Sequence, residues 1–352
     1  MRCLLLSALL FVTLPAAAKT IVVSTADAQC SSPADCTHGL RFARGDWLLV
    51  CSNTGDCTAV GYHAGITGQT ERLPVSVLIR RKAGATSPAT TLVTVDPPVR
   101  ENLLLNGQPL QTGALLSLLR ADPPRPIVYQ HGDKQWTLST RGAAEVLAKM
   151  DAYQGRSGTP GALLNPGNAA YQGTAVSKPV ITARLPAWPS RTSESESLRT
   201  LLRGPVAASG LAPNGCQRLD HGNHPGQEVP LFTLYPLDKD TVLAETACDY
   251  GNAKRLFALV SRDLTRLIGF VPVPNTAFAR YHSNGAIEAH QPDGNFGECY
   301  QQSIYIWDGN RFVLSRLSTS GLCGKGSMSY VWGALPLFET DVQLDLPPQP
   351  GY

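Results

Sequence analysis

The chain has 352 residues, of which 16% are charged, and a formal net charge of +3. Its basic residues are scattered apart from Arg80-Arg81-Lys82, which leaves no electrostatic footprint for nucleic acid. A hydrophobic content of 43% excludes a disordered, tail-like chain, and 32 glycines with 27 prolines suit short strands joined by many turns.

Met1 to Ala18 has a basic start at Arg2, an apolar run from Leu4 to Leu14, and Ala16-Ala17-Ala18 before Lys19. That is the layout of a cleavable signal peptide, with an apolar core too short to span a bilayer. Cys3 precedes that core, so it is not the lipid-modified residue of a lipoprotein leader. No later stretch approaches transmembrane length, and the chain is expected to be exported and not membrane-spanning. Nor does it read as an outer-membrane barrel, because Leu346-Pro347-Pro348-Gln349-Pro350-Gly351 cannot form a closing strand.

Lys19–Ser24, Trp47–Cys51, Thr58–Tyr62, Pro74–Arg80 and Thr90–Val95 are β-branched runs bounded by turn residues, and each is expected to be a strand. Trp47, Leu49 and Cys51 fall on one face at period two. A short helix is expected at Gln111–Ala121. A clearer one runs over 142–154, where Val146, Met150 and Tyr153 recur at i, i+4 and i+7 before Gly155. Residues 166–195 hold prolines at 166, 179, 186 and 189 and, read as a Pro-rich stretch, form the expected linker. Ser193–Arg203 then opens the second half with a short helix. Strands follow from Leu231 onward, including Leu256–Val260 and Leu267–Val273. The strongest hairpin signal is Ile304–Leu314 around Asp308-Gly309, where a type I′ turn is expected.

Nine cysteines occur, one in the leader, and the other eight form four short-range couples: Cys30/Cys36, Cys51/Cys57, Cys216/Cys248 and Cys299/Cys323. An even set behind a secretion leader reads as a disulfide framework. Neighbour pairing is one choice among the 105 connectivities eight cysteines allow. In the chain-entropy model each six-residue spacing contributes about 2.3 kcal/mol and each longer one about 3.5–3.7. Zinc is the alternative, but no C-x-x-C occurs.

Candidate chemistry is sparse. Asp220, His221 and His224 offer metal-type ligands, yet they sit among Gly, Asn and Pro, where a solvated loop is the plainer reading. His290, Asp293 and Glu298 offer general acid–base groups, but Pro292-Asp293-Gly294-Asn295 is equally what a β-turn demands. No G-x-S-x-G elbow is present, and Gly324-Lys325-Gly326-Ser327 lacks the spacing of a phosphate loop. Arg44-Gly45-Asp46 spells an adhesion tripeptide, which carries almost no information at that length. Trp136, Trp188, Trp307 and Trp332 suit a ligand groove less well than core or domain-interface positions.

Asp46-Trp47-x-x-x-Cys51 with Cys57 resembles the start of the bacterial periplasmic proteins grouped as domain-of-unknown-function family 1176, an opening itself similar to invasion-associated locus B proteins. Three other stretches resemble the same family: Lys149-Met150-Asp151-x-x-Gln154-Gly155-Arg156, Gly297-Glu298-Cys299 leading to Trp307-Asp308-Gly309-x-x-Phe312, and Cys323-Gly324-x-Gly326 leading to Trp332. Phe42 stands farther from Trp47 than in the family pattern, Cys30 and Cys36 look like an added bridge, and Lys325 falls one place later than the expected basic residue. The resemblance implies a Gram-negative periplasmic protein with a β-rich N-terminal part. It supplies no catalytic residues.

The expected fold is mainly β (a β-rich α+β class) in two domains of antiparallel strands. After a signal peptide over 1–18, an N-terminal domain spans 19–165 and carries the packed helix. A linker over 166–195 then leads to a C-terminal domain over 196–352, all stapled by disulfides. The expected function is a non-enzymatic role in the periplasm, binding a protein or small-molecule partner or supporting the cell envelope. The alternative is a periplasmic hydrolase using His290, Asp293 and Glu298. No catalytic residue, metal ligand or cofactor is assigned.

Overall fold

The computed structural model describes residues 38–345 apart from 69–72, 100, 123–124, 187, 213–214, 224–229, 251–254, 274–277 and 294–297. The leader, the Lys19–Ser24 strand, the Cys30/Cys36 couple, His224 and the Pro-rich C-terminal end lie outside the described residues. The fold is mainly β with several antiparallel sheets and few helices. Among the described residues no helix is long and apolar enough to cross a membrane.

The first sheet is an antiparallel meander of β1 (Leu40–Arg44), β2 (Trp47–Cys51), β3 (Cys57–Tyr62), β4 (Val75–Arg81) and β5 (Ala89–Val95), in that spatial order. Cys51 and Cys57 are directly opposed at the end of the β2–β3 hairpin and are bonded, with Cα atoms 4.0 Å apart. Every residue of β2 and β3 is buried, because both faces of the sheet are covered. Trp47, Leu49 and Cys51 face one way, against Val146, Leu147, Met150 and Tyr153 of α2 (Ala143–Tyr153). Leu48, Val50, Val60 and Tyr62 face the other, against Leu317, Met328, Leu335 and Leu337.

Between β5 and α2 the chain adds a small sheet and a short helix. These are β6 (Leu104–Leu105), β7 (Gln108–Pro109), α1 (Ala114–Leu119), β8 (Ile127–His131) and β9 (Lys134–Leu138). Helix α2 is fastened by a buried network. Arg81 Nη2 donates to Asp151 Oδ1 at 2.6 Å and Arg81 Nε to Gln154 Oε1 at 2.6 Å, while Gln154 Nε2 donates to the Gly55 carbonyl at 2.7 Å. The second Asp151 oxygen accepts from the Leu163 amide at 2.8 Å. The Asp151-x-x-Gln154 pattern is thus one face of a helix turned onto β4 and the β2–β3 turn.

Within the Pro-rich 166–195 stretch the chain forms β10 (Val180–Ala183) and β11 (Arg191–Ser193). Helix α3 (Glu196–Ser209) is N-capped by Ser195, whose Oγ accepts from the Leu198 amide, and it continues past Pro205 to Gly210. It runs further than the Ser193–Arg203 expectation. With the short α4 (Gln217–His221), α3 covers one face of the antiparallel sheet of β11, β12 (Phe232–Pro236), β13 (Thr241–Ala247), β14 (Arg255–Ser261) and β15 (Leu267–Phe270). A Cys216–Cys248 bond ties α4 to the end of β13.

The third large sheet runs β16 (Phe278–Tyr281), β17 (Ala286–Asp293), β18 (Cys299–Trp307), β19 (Phe312–Thr319) and β20 (Leu335–Glu339). Its Ile287, Ala289, Tyr305 and Trp307 pack on Leu243, Phe257 and Leu259 of the preceding sheet. The last strand, β21 (Asp341–Leu344), pairs in parallel with β10. The β18–β19 connection corrects the expected two-residue type I′ turn. Gly309 has φ 97°, but Asn310 is not left-handed, and Asp308 Oδ1 accepts from the Asn310 and Arg311 amides at 2.8 Å each. The aspartate side chain closes a longer loop by satisfying two backbone donors.

Gly61 in β3 lies under the Trp47 ring, and a Cβ there would come within 2.5 Å of it. Gly61→Ala is expected to cost about 1–3 kcal/mol through overpacking. A lowered urea midpoint with an unchanged slope is the outcome that checks it.

Candidate functional site

The residues singled out as acid–base candidates do not converge. His290 Nε2 lies 2.8 Å from Glu288 Oε1, not beside Asp293 or Glu298. Glu298 Oε1 accepts from the Gly324 amide at 3.0 Å and so holds the segment after Cys323. Asp293 ends β17, where its carboxylate lies near the sulfurs of Cys299 and Cys323. Those sulfurs are bonded to each other and are not metal ligands. Of the other trio, Asp220 sits 3.9 Å from Arg203 Nε and His221 ends α4, while His224 is not described. Trp136 and Trp307 are core residues, Trp332 is half-buried with Nε1 donating to Ser76 Oγ at 2.8 Å, and Trp188 stacks under Arg262 at 4.6 Å.

The densest polar arrangement was missed by sequence reasoning and centres on Asp46 and Lys325. Both side chains are almost wholly buried, 3% and 6% exposed, with Lys325 Nζ 2.8 Å from Asp46 Oδ1. The ammonium also donates to the His63 carbonyl at 3.1 Å and to the Gly65 carbonyl at 2.5 Å, which uses all three of its donors. Asp46 Oδ2 accepts from Ser139 Oγ at 2.7 Å and from the Arg141 guanidinium at 3.3 Å. The corner is closed by two glycines with positive φ, Gly45 (54°) and Gly142 (92°). A Cβ on Gly45 would strike the Arg141 carbonyl, and one on Gly142 the Arg44 carbonyl. Asp46, read within an adhesion tripeptide, is therefore not on display.

Burial alone would raise the Asp46 carboxyl, but the bonds from Lys325, Ser139 and Arg141 outweigh it and hold the group below its ordinary range. His63 is fully buried beside this pair. Its Nε2 lies 3.1 Å from Thr67 Oγ1, and its Nδ1 has no partner among the described residues. Burial, with a smaller contribution from the Lys325 charge, lowers the His63 pKa and keeps the imidazole neutral.

Next to the corner, an open cleft of ≈ 380 Å³ is lined by Ala64, Arg125, Pro126, Thr137, Leu138, Ser139, Thr140 and Arg141. Arg141 reaches it from the Asp46 contact and remains 72% exposed. Arg125 makes no ion pair or hydrogen bond among the described residues. Two guanidinium groups and three hydroxyl side chains thus border one depression.

The architecture is that of a disulfide-bridged, mainly β protein whose buried charges join its early and late strands. A family model described as a protein of unknown function (DUF1176) matches residues 41–336, and the chain belongs to that family. No curated protein and no solved structure matches the chain.

Removing one partner of a buried pair strands the other charge. Asp46→Asn is therefore expected to destabilise the protein by about 3–5 kcal/mol, and the double change with Lys325→Met to recover part of that. Chemical denaturation of the single and double variants measures both. The pH sign follows from the lowered groups. Stability contributed by Asp46 is present above its ordinary value of 3.8 and is lost as pH falls through its lower folded value. For His63 the unfolded chain takes up a proton first, so stability declines as pH drops below 6.5. Urea midpoints between pH 7 and 5 should fall in the native protein and fall less in His63→Gln.

Proposed function

We propose that this is an exported, periplasmic, non-enzymatic binding protein that takes a small anionic ligand in the cleft bordered by Arg125 and Arg141. The observation that carries the reading is that Arg125, with no ion pair or hydrogen bond among the described residues, and Arg141 line one cleft together with Thr137, Ser139 and Thr140. Planar guanidinium groups recognise carboxylates and oxyanions through paired hydrogen bonds. The cleft volume is in the range of small-molecule sites, about 300–1,000 Å³. Export is supported by the leader over 1–18 and by the three bridges Cys51–Cys57, Cys216–Cys248 and Cys299–Cys323, since such bonds persist in oxidising compartments. The proposed division into parts over 19–165 and 196–352 draws on the separate cores on α2 and on α3, with the cluster of Leu48, Val50, Leu317 and Leu335 shared between the two parts. The likeness of the Asp46-Trp47 opening to locus B proteins belongs with the same reading.

Isothermal titration with inorganic phosphate and with succinate at low ionic strength tests the ligand class. Binding of either is expected, weakened roughly 10–150-fold by Arg125→Ala if a charge-assisted bond of about 1.5–3 kcal/mol is lost. Failure of both probes, or equal affinity in the variant, would overturn the reading. Intact-mass analysis of protein from its host should show residues 1–18 removed and no free thiol.

A further inference from the structure

The three large sheets end in outer strands, and all but one of these carry a block against further pairing. Arg41 and Arg44 lie on β1, Arg191 on β11 and Arg280 on β16. The β14–β15 and β19–β20 ladders both shift register, and β20 also holds Pro336. Charges, bulges and prolines are the devices that keep a sheet edge from adding another strand. β5, the outer strand of the first sheet, has none of them. Its sequence Ala-Thr-Thr-Leu-Val-Thr-Val is uncharged, and it pairs with β4 along its whole length without a shift. Leu92 at its centre is 54% exposed, although its register partner Leu78 is buried in the cluster shared with Leu317 and Leu335.

Two hydrogen bonds fix which way the backbone groups of β5 point. The Asp96 amide donates to the Pro74 carbonyl at 2.9 Å, and the Val75 carbonyl accepts from the His63 amide on the other side of β4. By alternation, Thr90, Leu92 and Thr94 turn their amides and carbonyls to β4, while Thr91 and Val93 turn theirs outward. Among the described residues no backbone hydrogen bond reaches those outward groups. Val95 is buried, so the open stretch is Thr90 to Thr94, with Leu92 at its middle. From this edge we infer that the protein self-associates through β5, the occupant being a second copy of the chain, antiparallel about a twofold axis at Leu92. Thr91 of each copy then exchanges both backbone bonds with Val93 of the other. Leu92 meets its own counterpart in a non-hydrogen-bonded pair, where Cα atoms approach to about 4.5 Å and side chains are closest. The strand is its own complement in this register, as an isologous contact requires. Charge agrees with it: Arg80, exposed beside Thr90, comes near the Asp96 end of the other copy. The paired stretch is short, which places the dimer in the weak, reversible class below about 1,200 Å².

Sedimentation velocity of the untagged protein, followed from micromolar to near-millimolar concentration, is expected to show a monomer–dimer equilibrium. Leu92→Lys sets like charges at the axis and should weaken association at least about tenfold. Leu92→Glu should do the same, while an equimolar mixture of the two variants regains dimers, because position 92 meets itself. Thr91→Pro removes an outward amide without touching the β4 ladder and should also lower association. Far-UV circular dichroism matching the native protein shows that lost folding is not the cause. A native chain that stays monomeric throughout overturns the inference and leaves the edge to some other strand. Association that survives Leu92→Lys, or a mixture that fails to form dimers, overturns it as well. β5 contributes nothing to the lining of the arginine cleft, so neither result bears on anion binding.

Discussion

The structure depends on a charge taken out of water. Lys325 reaches Asp46 across 279 positions of sequence, and its remaining protons are given to carbonyls of the 63–65 segment. Desolvating two ions is expensive, and such pairs repay that only when every donor and acceptor is matched. Here they are: the carboxylate also takes Ser139 and Arg141, and the Lys325 backbone amide donates to Ser329 Oγ at 3.2 Å.

Around that contact the other family-like residues act as scaffold. Trp47 fills the core and donates from Nε1 to the Ser139 carbonyl at 2.7 Å, while Glu298 and the Cys299–Cys323 bond fix the segment that delivers Lys325. Asp151 and Gln154 spend their polar atoms on Arg81 of β4 and on neighbouring backbone groups, and Arg156 Nη1 donates to the Ser87 carbonyl at 2.9 Å. The exposed chemistry lies elsewhere, on the cleft arginines, where side chains are not committed to holding backbone.

Legibility in the sequence tracked how local each cause is. Helix α2 was visible because its apolar residues recur every turn, and the β2–β3 hairpin because its cysteines bracket a polar turn. The burial of Leu48 and Val50 was not visible, since their cover comes from residues after 314. Asp308-Gly309 signalled a hairpin correctly, yet the aspartate's own hydrogen bonds chose the loop type. Lys325 looked like part of a glycine-rich turn, and nothing near it in sequence announces a buried carboxylate. Arg125 and Arg141 were illegible as a pair, because only the small sheet brings them to one depression. His290 was singled out, but alternation on β17 makes Glu288 its partner, not the carboxylates toward the turn.

The bonds between Asn53 and Glu339, 286 residues apart, carry a kinetic consequence. Loop-closure entropy delays contacts of such high order, so the Leu48–Val50–Val60 surface must wait, uncovered and sticky, until nearly the whole polypeptide has emerged. A nascent chain in that condition is a natural client for holdase chaperones and is prone to aggregate wherever synthesis stalls short of β20.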